Sequence, residues 1–413
     1  MLSVAEAKSH ILNTVSTLKS NKVEEVAVAD AEGRVLAEAV LADRDQPPAD
    51  SSAMDGFAVR FTDQKNAPVN LKLIGEAQAG SIFDGVVGAG ETVRIFTGGI
   101  LPNGADTIVM QENTTISDDD TVTINEASHS GRHVRYQGHD FKAGLELVSV
   151  GKRLNSRDIA LIAAGNIATV KVYKKPVVAL LSTGDELVAA GQAKAINQIV
   201  NSNAPMLANL INMAGGEAII LDIVGDQDNA LKSAIENIPE VDILVTIGGA
   251  SVGNYDLVQG VLKELGFNLG FWKVAMRPGK PIIFGTLPHK NPEKDIIILG
   301  LPGNPVSSVV GAYLYLLPML DNMLNADSGL LIESKAKLLE GLTENGPRQA
   351  YLRASIGLDQ NGQLTVQQNE DQDSSALFSL TRSQGFIIRE PNAPKSAKDN
   401  FVDVLVLGSL DIF

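Results

Sequence analysis

Residues 241–266 read VDILVTIGGASVGNYDLVQGVLKELG: an apolar run, a turn of small and polar residues, then apolar positions at helical spacing. A buried-looking strand that passes through a glycine-rich turn into a helix is the repeating unit of an α/β sheet. Gly248, Gly249 and Gly253 leave the backbone free to approach a ligand closely, and the free N–H groups at a helix start favour an anion. Ser251 and Asp256 stand beside that turn, so a carboxylate waits next to the expected anion.

The pattern repeats on both sides of this unit. Strand-like runs PVVALLS (176–182), AIILDIV (218–224) and DIIILGL (295–301) alternate with helical stretches at 203–215, 228–238 and 305–320. This alternation predicts a doubly wound parallel sheet at 177–326, with ligands at the C-terminal ends of its strands. Three loops then share one edge: STGDEL (182–187) after the first strand, GGASVGNYD (248–256) after the third and GLPGNP (300–305) after the fourth. Each alone has a structural reading, as a helix cap, a tight turn, or a turn with Pro305 opening a helix. Together on one edge they mark a binding cleft.

The rest of the chain has another character. After an amphipathic opening helix, residues 23–150 are rich in short β runs separated by turn residues, and SRDIALIAAGN (156–166) is a short helix with Ser156 as its expected N-cap. Beyond 327 the runs KAKLLEG, QAYLRASIGL, QLTVQQ, GFIIRE and VDVLVLGS predict a small β barrel or sandwich. The fold class is therefore multidomain, α/β and β. Five pieces are expected: a helix at 1–22, a β-rich linking domain at 23–43 and 147–176, an inserted domain at 44–146, the α/β domain at 177–326 and a C-terminal β domain at 327–413.

Composition removes several function classes. The 413 residues carry 49 Asp and Glu against 34 Lys and Arg, a net charge of −15, which disfavours nucleic acid or an anionic membrane as a partner. There is no Cys, so disulfides, thiolate metal sites and Cys nucleophiles are excluded, and 5 His leave little for an imidazole metal site. No apolar stretch is long enough to span a membrane, and MLSVAEAKSHILNTVSTL is not shaped like a signal peptide, so the cytoplasm is expected. GxxxxGK[ST] is missing, and no GxGxxG follows the first strand.

What remains is a cleft with Asp185, Glu186 and Asp256. Carboxylates facing a phosphate need a hard cation between them, for which Mg²⁺ is the natural choice. FWKVAMRPGKP (271–281) supplies Lys273, Arg277 and Lys280 for the anion, with a Pro-Gly turn between the last two. Upstream, a second polar concentration holds Asp55 (PPADSSAMDGFAV), Thr97 (IFTGGILPNGAD) and Asp140 (RYQGHDFKAG).

The motifs SAMDGFAV, RIFTGGILPNGADTIVMQE, VRYQGHDFKAG, LSTGDEL, GGASVGNYD, WKVAMRPGKP and GLPGNPVSS, in this order, resemble the MoeA family of molybdopterin molybdenumtransferases, which includes the gephyrin E domain. The resemblance implies insertion of molybdenum: adenylylated molybdopterin and molybdate give molybdenum cofactor and AMP. It implies catalytic roles for Asp55, Thr97, Asp140, Glu186 and Asp256, and Mg²⁺ held by Glu186, Asp226 and Asp256. It further implies substrate contacts from Asp185, Gly248, Gly249, Ser251, Gly253, Lys273, Arg277, Lys280, Pro302, Pro305, Arg348 and Ser374. The two prolines would shape a molybdate pocket. Implied partners are a second copy of the chain, sharing the active site as a homodimer, together with the molybdopterin adenylyltransferase and acceptor molybdoenzymes. Soft dithiolene sulfur on the pterin explains how a chain without Cys handles molybdenum. Two readings of other classes stand beside this one: a non-catalytic molybdopterin-binding or scaffold protein, and a molybdopterin adenylyltransferase. AMP release that depends on molybdate separates the first from both.

Overall fold

The structure is a computed structural model and describes residues 1–18, 22–117, 119–192, 195–248, 255–288, 295–327 and 331–407, with the backbone alone at Tyr255 and Asp256. A six-stranded sheet forms its centre, in the order Glu217–Ile220, Val177–Ser182, Ile243–Ile247, Asp295–Leu301, Ile283–Pro288, Asn268–Trp272. The first four strands are parallel, and the last two extend the sheet antiparallel. All five residues of Ile243–Ile247 are buried, as a strand covered on both faces requires. The antiparallel pair is not among the strands expected from sequence: Gly279, Pro281, Gly285 and Pro288 resemble turn punctuation, yet Ile283, Phe284 and Leu287 are core residues.

One face of the sheet is covered by the helix Asn203–Met213 and by a long helical rod from Pro305 to Met323, whose middle, Ala312–Leu316, is wound as a π-helix. The opening helix Val4–Leu18 buries Ala7, Ile11 and Val15 in this same core, and Leu2 bridges to Val274. Helices Asp228–Glu236 and Tyr255–Glu264 lie on the other face, where Leu231, Ile235, Val258 and Leu262 meet Leu181 and Leu244.

Three β units complete the chain. Val23–Ala27 pairs with Thr169–Tyr173 and Val40–Leu41 with Glu146–Val148, around Leu36, Ile162 and Val172. The helix Ser156–Ala164 between them is capped by Asn155, not Ser156: the Asn155 side chain accepts from the Arg157 and Asp158 amides, and the Asp158 carboxylate accepts from the Asn155 N–H in return. A six-stranded sheet between residues 56 and 124 contains the strands Gly56–Val59 and Glu91–Ile95, which pair antiparallel. At the C-terminal end, Ile332–Leu338, Gln349–Leu358, Leu364–Gln368, Gly385–Arg389 and Phe401–Val406 close into a five-stranded barrel through the pairing of Gln349–Leu358 with Gly385–Arg389. Met276–Arg277 adds to this barrel beside Gln349 and Ala350, joining it to the α/β unit. Among the described residues no helix is long and apolar enough to cross a membrane.

Candidate functional site

The parallel strands end together. The Thr183 amide donates to Ile247 O at 3.0 Å and the Gly248 amide to Leu301 O at 3.1 Å, so the three post-strand loops are stitched side by side. They form the floor of a cavity of about 670 Å³, within the size range of small-molecule sites. Glu186, Asp226, Gly248, Pro302 and Pro305 line it, together with Asn201, Asn203 and Asn304, apolar side chains such as Leu187 and Ile199, and Ser375 and Leu377 from the barrel unit.

Gly248 explains part of the glycine-rich turn. Its φ is +96°, and a Cβ there would stand 2.6 Å from the Thr183 carbonyl oxygen, so the first turn residue must be glycine. Gly249, Ser251 and Gly253 lie outside the described residues, as does the Asp256 side chain.

Negative charge is concentrated at one side of the cavity. The Asp226 amide donates to Asp185 Oδ1 at 3.1 Å. Burial, then the nearby charges of Asp185 and Glu186, hold the Asp226 carboxyl above its ordinary value. Among the described residues no three acidic or imidazole groups close on a single metal point. The Mg²⁺ set expected from sequence includes Asp256, so it is represented here by Glu186 and Asp226. Their hard carboxylate oxygens fit a divalent cation of the Mg²⁺ type.

The basic segment folds back on itself, with the Lys273 amide on Ile282 O and the Val274 amide on Lys280 O. Lys273 takes a left-handed φ of +69°, and its Nζ sits 3.4 Å from the centroid of the Trp272 ring. Pro281 is the part of this segment that lines the cavity; Arg277 and Lys280 are exposed beside it. Arg348 extends Nη1 toward Met276 O at 3.5 Å, at the strand junction with the barrel, away from the cavity lining.

Ser374 faces the GLPGNP turn directly. Its Oγ accepts from Asn304 Nδ2 at 2.7 Å, and its carbonyl accepts from the Val306 amide at 3.1 Å. The loop that carries it is fastened by Arg353, only 1% exposed, whose Nη2 donates to Asp371 O at 2.7 Å and whose amide donates to Gln372 Oε1 at 3.0 Å. Sequence reasoning missed Arg353, Asn201, Asn203 and Asn304. An Arg inside the strand-like run QAYLRASIGL that is fully buried was the available signal for the first, though burial itself is not readable from one sequence.

Asp55 and Thr97 form one unit away from this cavity: Asp55 Oδ1 accepts from the Thr97 amide at 2.7 Å and from its Oγ1 at 2.9 Å. These two hydrogen bonds, with Arg94 as a smaller contributor, hold the Asp55 carboxyl below its ordinary value, so it is a fixed anion at neutral pH. Arg94 itself lies between the Phe57 and Phe96 rings, 4.9 and 5.2 Å from their centroids. Asp140 is exposed, in a loop tied by its own amide to Gln46 O at 2.9 Å. None of these three residues lines the cavity.

A doubly wound α/β unit with a cleft at its strand ends, continued by a β barrel that lends one wall, defines a ligand-binding enzyme scaffold of the strand-edge type. Comparison with known families makes this particular. Residues 2–165 match the MoeA N-terminal region (domain I and II), 179–322 a probable molybdopterin binding domain and 335–407 the MoeA C-terminal region (domain IV). The chain belongs to the MoeA family. It is 38% identical to the molybdopterin molybdenumtransferase of Nostoc sp. over 365 residues, covering 87% of this chain and 83% of that protein. With the Haemophilus influenzae molybdopterin molybdenumtransferase it shares 31% identity over 396 residues, 94% of this chain and 95% of the other. The crystal structure of the molybdopterin biosynthesis MoeA protein from Pyrococcus horikosii superimposes with a TM-score of 0.78 at 31% identity, covering 98% of this chain and 99% of that one.

Proposed function

We propose that this protein is a molybdopterin molybdenumtransferase, which converts adenylylated molybdopterin and molybdate to molybdenum cofactor and AMP. The observation that carries the reading is the cavity in the matched molybdopterin-binding domain, which Gly248, Glu186 and Asp226 line together with the Pro302–Pro305 turn. In this reading the substrate's pyrophosphate rests on the turn that begins at Gly248, and the flat face of its pterin ring on the Leu187 and Ile199 side. Glu186 and Asp226, with Asp256, would hold Mg²⁺, which supplies charge neutralisation and Lewis-acid polarisation for cleavage of the bond to AMP. Lys273, Arg277 and Lys280 draw molybdate toward the Pro302–Pro305 turn, where Ser374 closes the wall. Arg277 contributes a planar fork of donors, suited to an oxyanion.

The test is purified protein with adenylylated molybdopterin, with and without molybdate, following AMP. Molybdate-stimulated release is expected. ATP consumption would point to an adenylyltransferase, and tight binding without turnover to a carrier.

We infer further that the protein works in the cytoplasm as a homodimer with shared sites, receiving substrate from the adenylyltransferase and passing cofactor to molybdoenzymes. Asp55, Thr97 and Asp140 belong to the inserted unit and its stem, whereas the cavity is lined by residues 183–377; two-fold pairing lets one subunit's Asp55 face the other's cavity. Mixing Asp55→Ala with Glu186→Ala protein under subunit exchange then restores activity in heterodimers, each having one cleft free of both lesions. No recovery despite exchange confirmed by mass would place the whole site in one chain.

A further inference from the structure

The segment VNSNAP (200–205) drew no attention as sequence beyond opening a helix, yet it supplies two side chains that tie strand-end loops together. Asn201 Nδ2 donates to Ser182 Oγ at 2.9 Å, at the end of the first parallel strand. Asn203 Nδ2 donates to the Gly303 carbonyl at 2.6 Å, a hundred residues away in the GLPGNP turn. Gly303 in turn packs on the glycine-rich turn: a Cβ built on it lies 3.6 Å from Gly248 Cα. One buried carboxamide therefore sets the height of the Gly303 turn, and through it the packing against Gly248.

Stability does not account for this residue. Asn203 is 6% exposed, and its Oδ1 is buried with no hydrogen-bond partner among the described residues. A carboxamide with one end satisfied and the other stranded is a poor choice for folding, since an unpaired buried acceptor loses its hydration without return. It makes no cap either: its helix begins after Ser202 with no side-chain cap. Unfavourable buried polar groups that persist beside a ligand cavity are expected where function, rather than stability, fixes the residue.

We propose that Asn203 is a positioning residue for the organic substrate: its hydrogen bond to Gly303 O holds the Gly303 and Gly248 turns at the separation that the pterin pyrophosphate needs. The proposal rests on the reading of the cavity as the adenylylated molybdopterin site. It assigns Asn203 no contact with the reacting atoms. The effect is read in binding of the pterin compound; Gly303 also lies within the Pro302–Pro305 turn, so molybdate binding is not held constant by the substitution.

The test uses the full-length protein. Asn203→Ala removes both the hydrogen bond and the stranded acceptor, and Asn203→Asp keeps the shape but sets a carboxylate oxygen against the Gly303 carbonyl. Adenylylated molybdopterin is titrated without molybdate, so that affinity is read independently of turnover, and urea unfolding is followed through Trp272, the single Trp. Asn203→Ala is expected to unfold at the wild-type midpoint or later, with Kd for the pterin compound raised about tenfold. Asn203→Asp should weaken binding further. An unchanged Kd for folded Asn203→Ala overturns the proposal, as does a rise in the molybdate KM with the pterin affinity intact. If the alanine variant instead unfolds early, with Asn203→Asp binding normally per folded molecule, Asn203 is structural and the proposal fails. Wild-type protein that binds the pterin compound without molybdate-stimulated AMP release sinks the transferase reading alone, and the Kd comparison still decides Asn203.

Discussion

Gly248→Ala is the most direct perturbation of the strand-edge geometry. Two effects add. A left-handed backbone at φ +96° disfavours any residue with a Cβ by roughly 1–2 kcal/mol. The methyl also lands 2.6 Å from the Thr183 carbonyl oxygen and 3.3 Å from Thr183 Oγ1, atoms held in place because the Thr183 amide is bonded to Ile247 O. Overpacking against fixed backbone costs about 1–3 kcal/mol more, so the substitution should destabilise the α/β unit by about 2–5 kcal/mol. Gly303→Ala is the internal control: its Cβ meets Gly248 Cα at 3.6 Å, an ordinary contact, and Gly303 is exposed, so its cost stays under about 1 kcal/mol. Trp272 lies on an edge strand of the same sheet, and its fluorescence during urea unfolding reports this unit in a chain that does not unfold in one step. If the two variants unfold at the same midpoint, the Gly248 turn is free to relax and the close approach to Thr183 has been misjudged.

Three further outcomes follow from the charge pairs and carboxylates. Arg153 donates to Asp321 Oδ1 at 2.9 Å and to Gly33 O at 3.1 Å, with both charged side chains largely buried, so Arg153→Ala should destabilise the junction of the linking unit and the long helix by about 3–5 kcal/mol and open it to limited proteolysis; resistance equal to wild type refutes this. Asp55 is held below its ordinary value by Thr97, so the carboxylate's contribution is present above the unfolded pKa near 4 and is lost as pH falls through the folded one. The Thr97 amide resonance should therefore stay flat from pH 8 to about 4 and move only below that, and a midpoint above the unfolded value contradicts the hydrogen-bond account. Asp226→Asn relieves repulsion from Asp185 and Glu186, so the metal-free variant should melt later than wild type and gain less from added Mg²⁺; an unaltered Mg²⁺ response removes Asp226 from the cation site.

The parallel strands were legible because burial on both faces leaves an uninterrupted apolar run, as in Ile243–Ile247, and the loops at their ends were legible because glycine and proline there have few structural alternatives. The antiparallel strands Asn268–Trp272 and Ile283–Pro288 were not, since their glycines and prolines carry the same signal as a turn. At the C-terminal end alternation left a barrel and a sandwich both open, and the barrel is what forms, because Gln349–Leu358 pairs with Gly385–Arg389 across the intervening strand and Ser374 loop. The asparagines show the limit most sharply. Asn155 and Asn203 both stand where a helix begins, and one sequence gives both the same reading, a start signal. In the fold, Asn155 turns inward on its own helix and accepts from the amides two and three residues ahead, while Asn203 ignores its helix and donates to a carbonyl a hundred residues downstream. Carboxylates such as Asp185 and Glu186 announced themselves because charge beside an anion site needs explaining. A neutral carboxamide needs no explanation until its partners are known, so the polar groups that position the cleft are the ones that local sequence conceals.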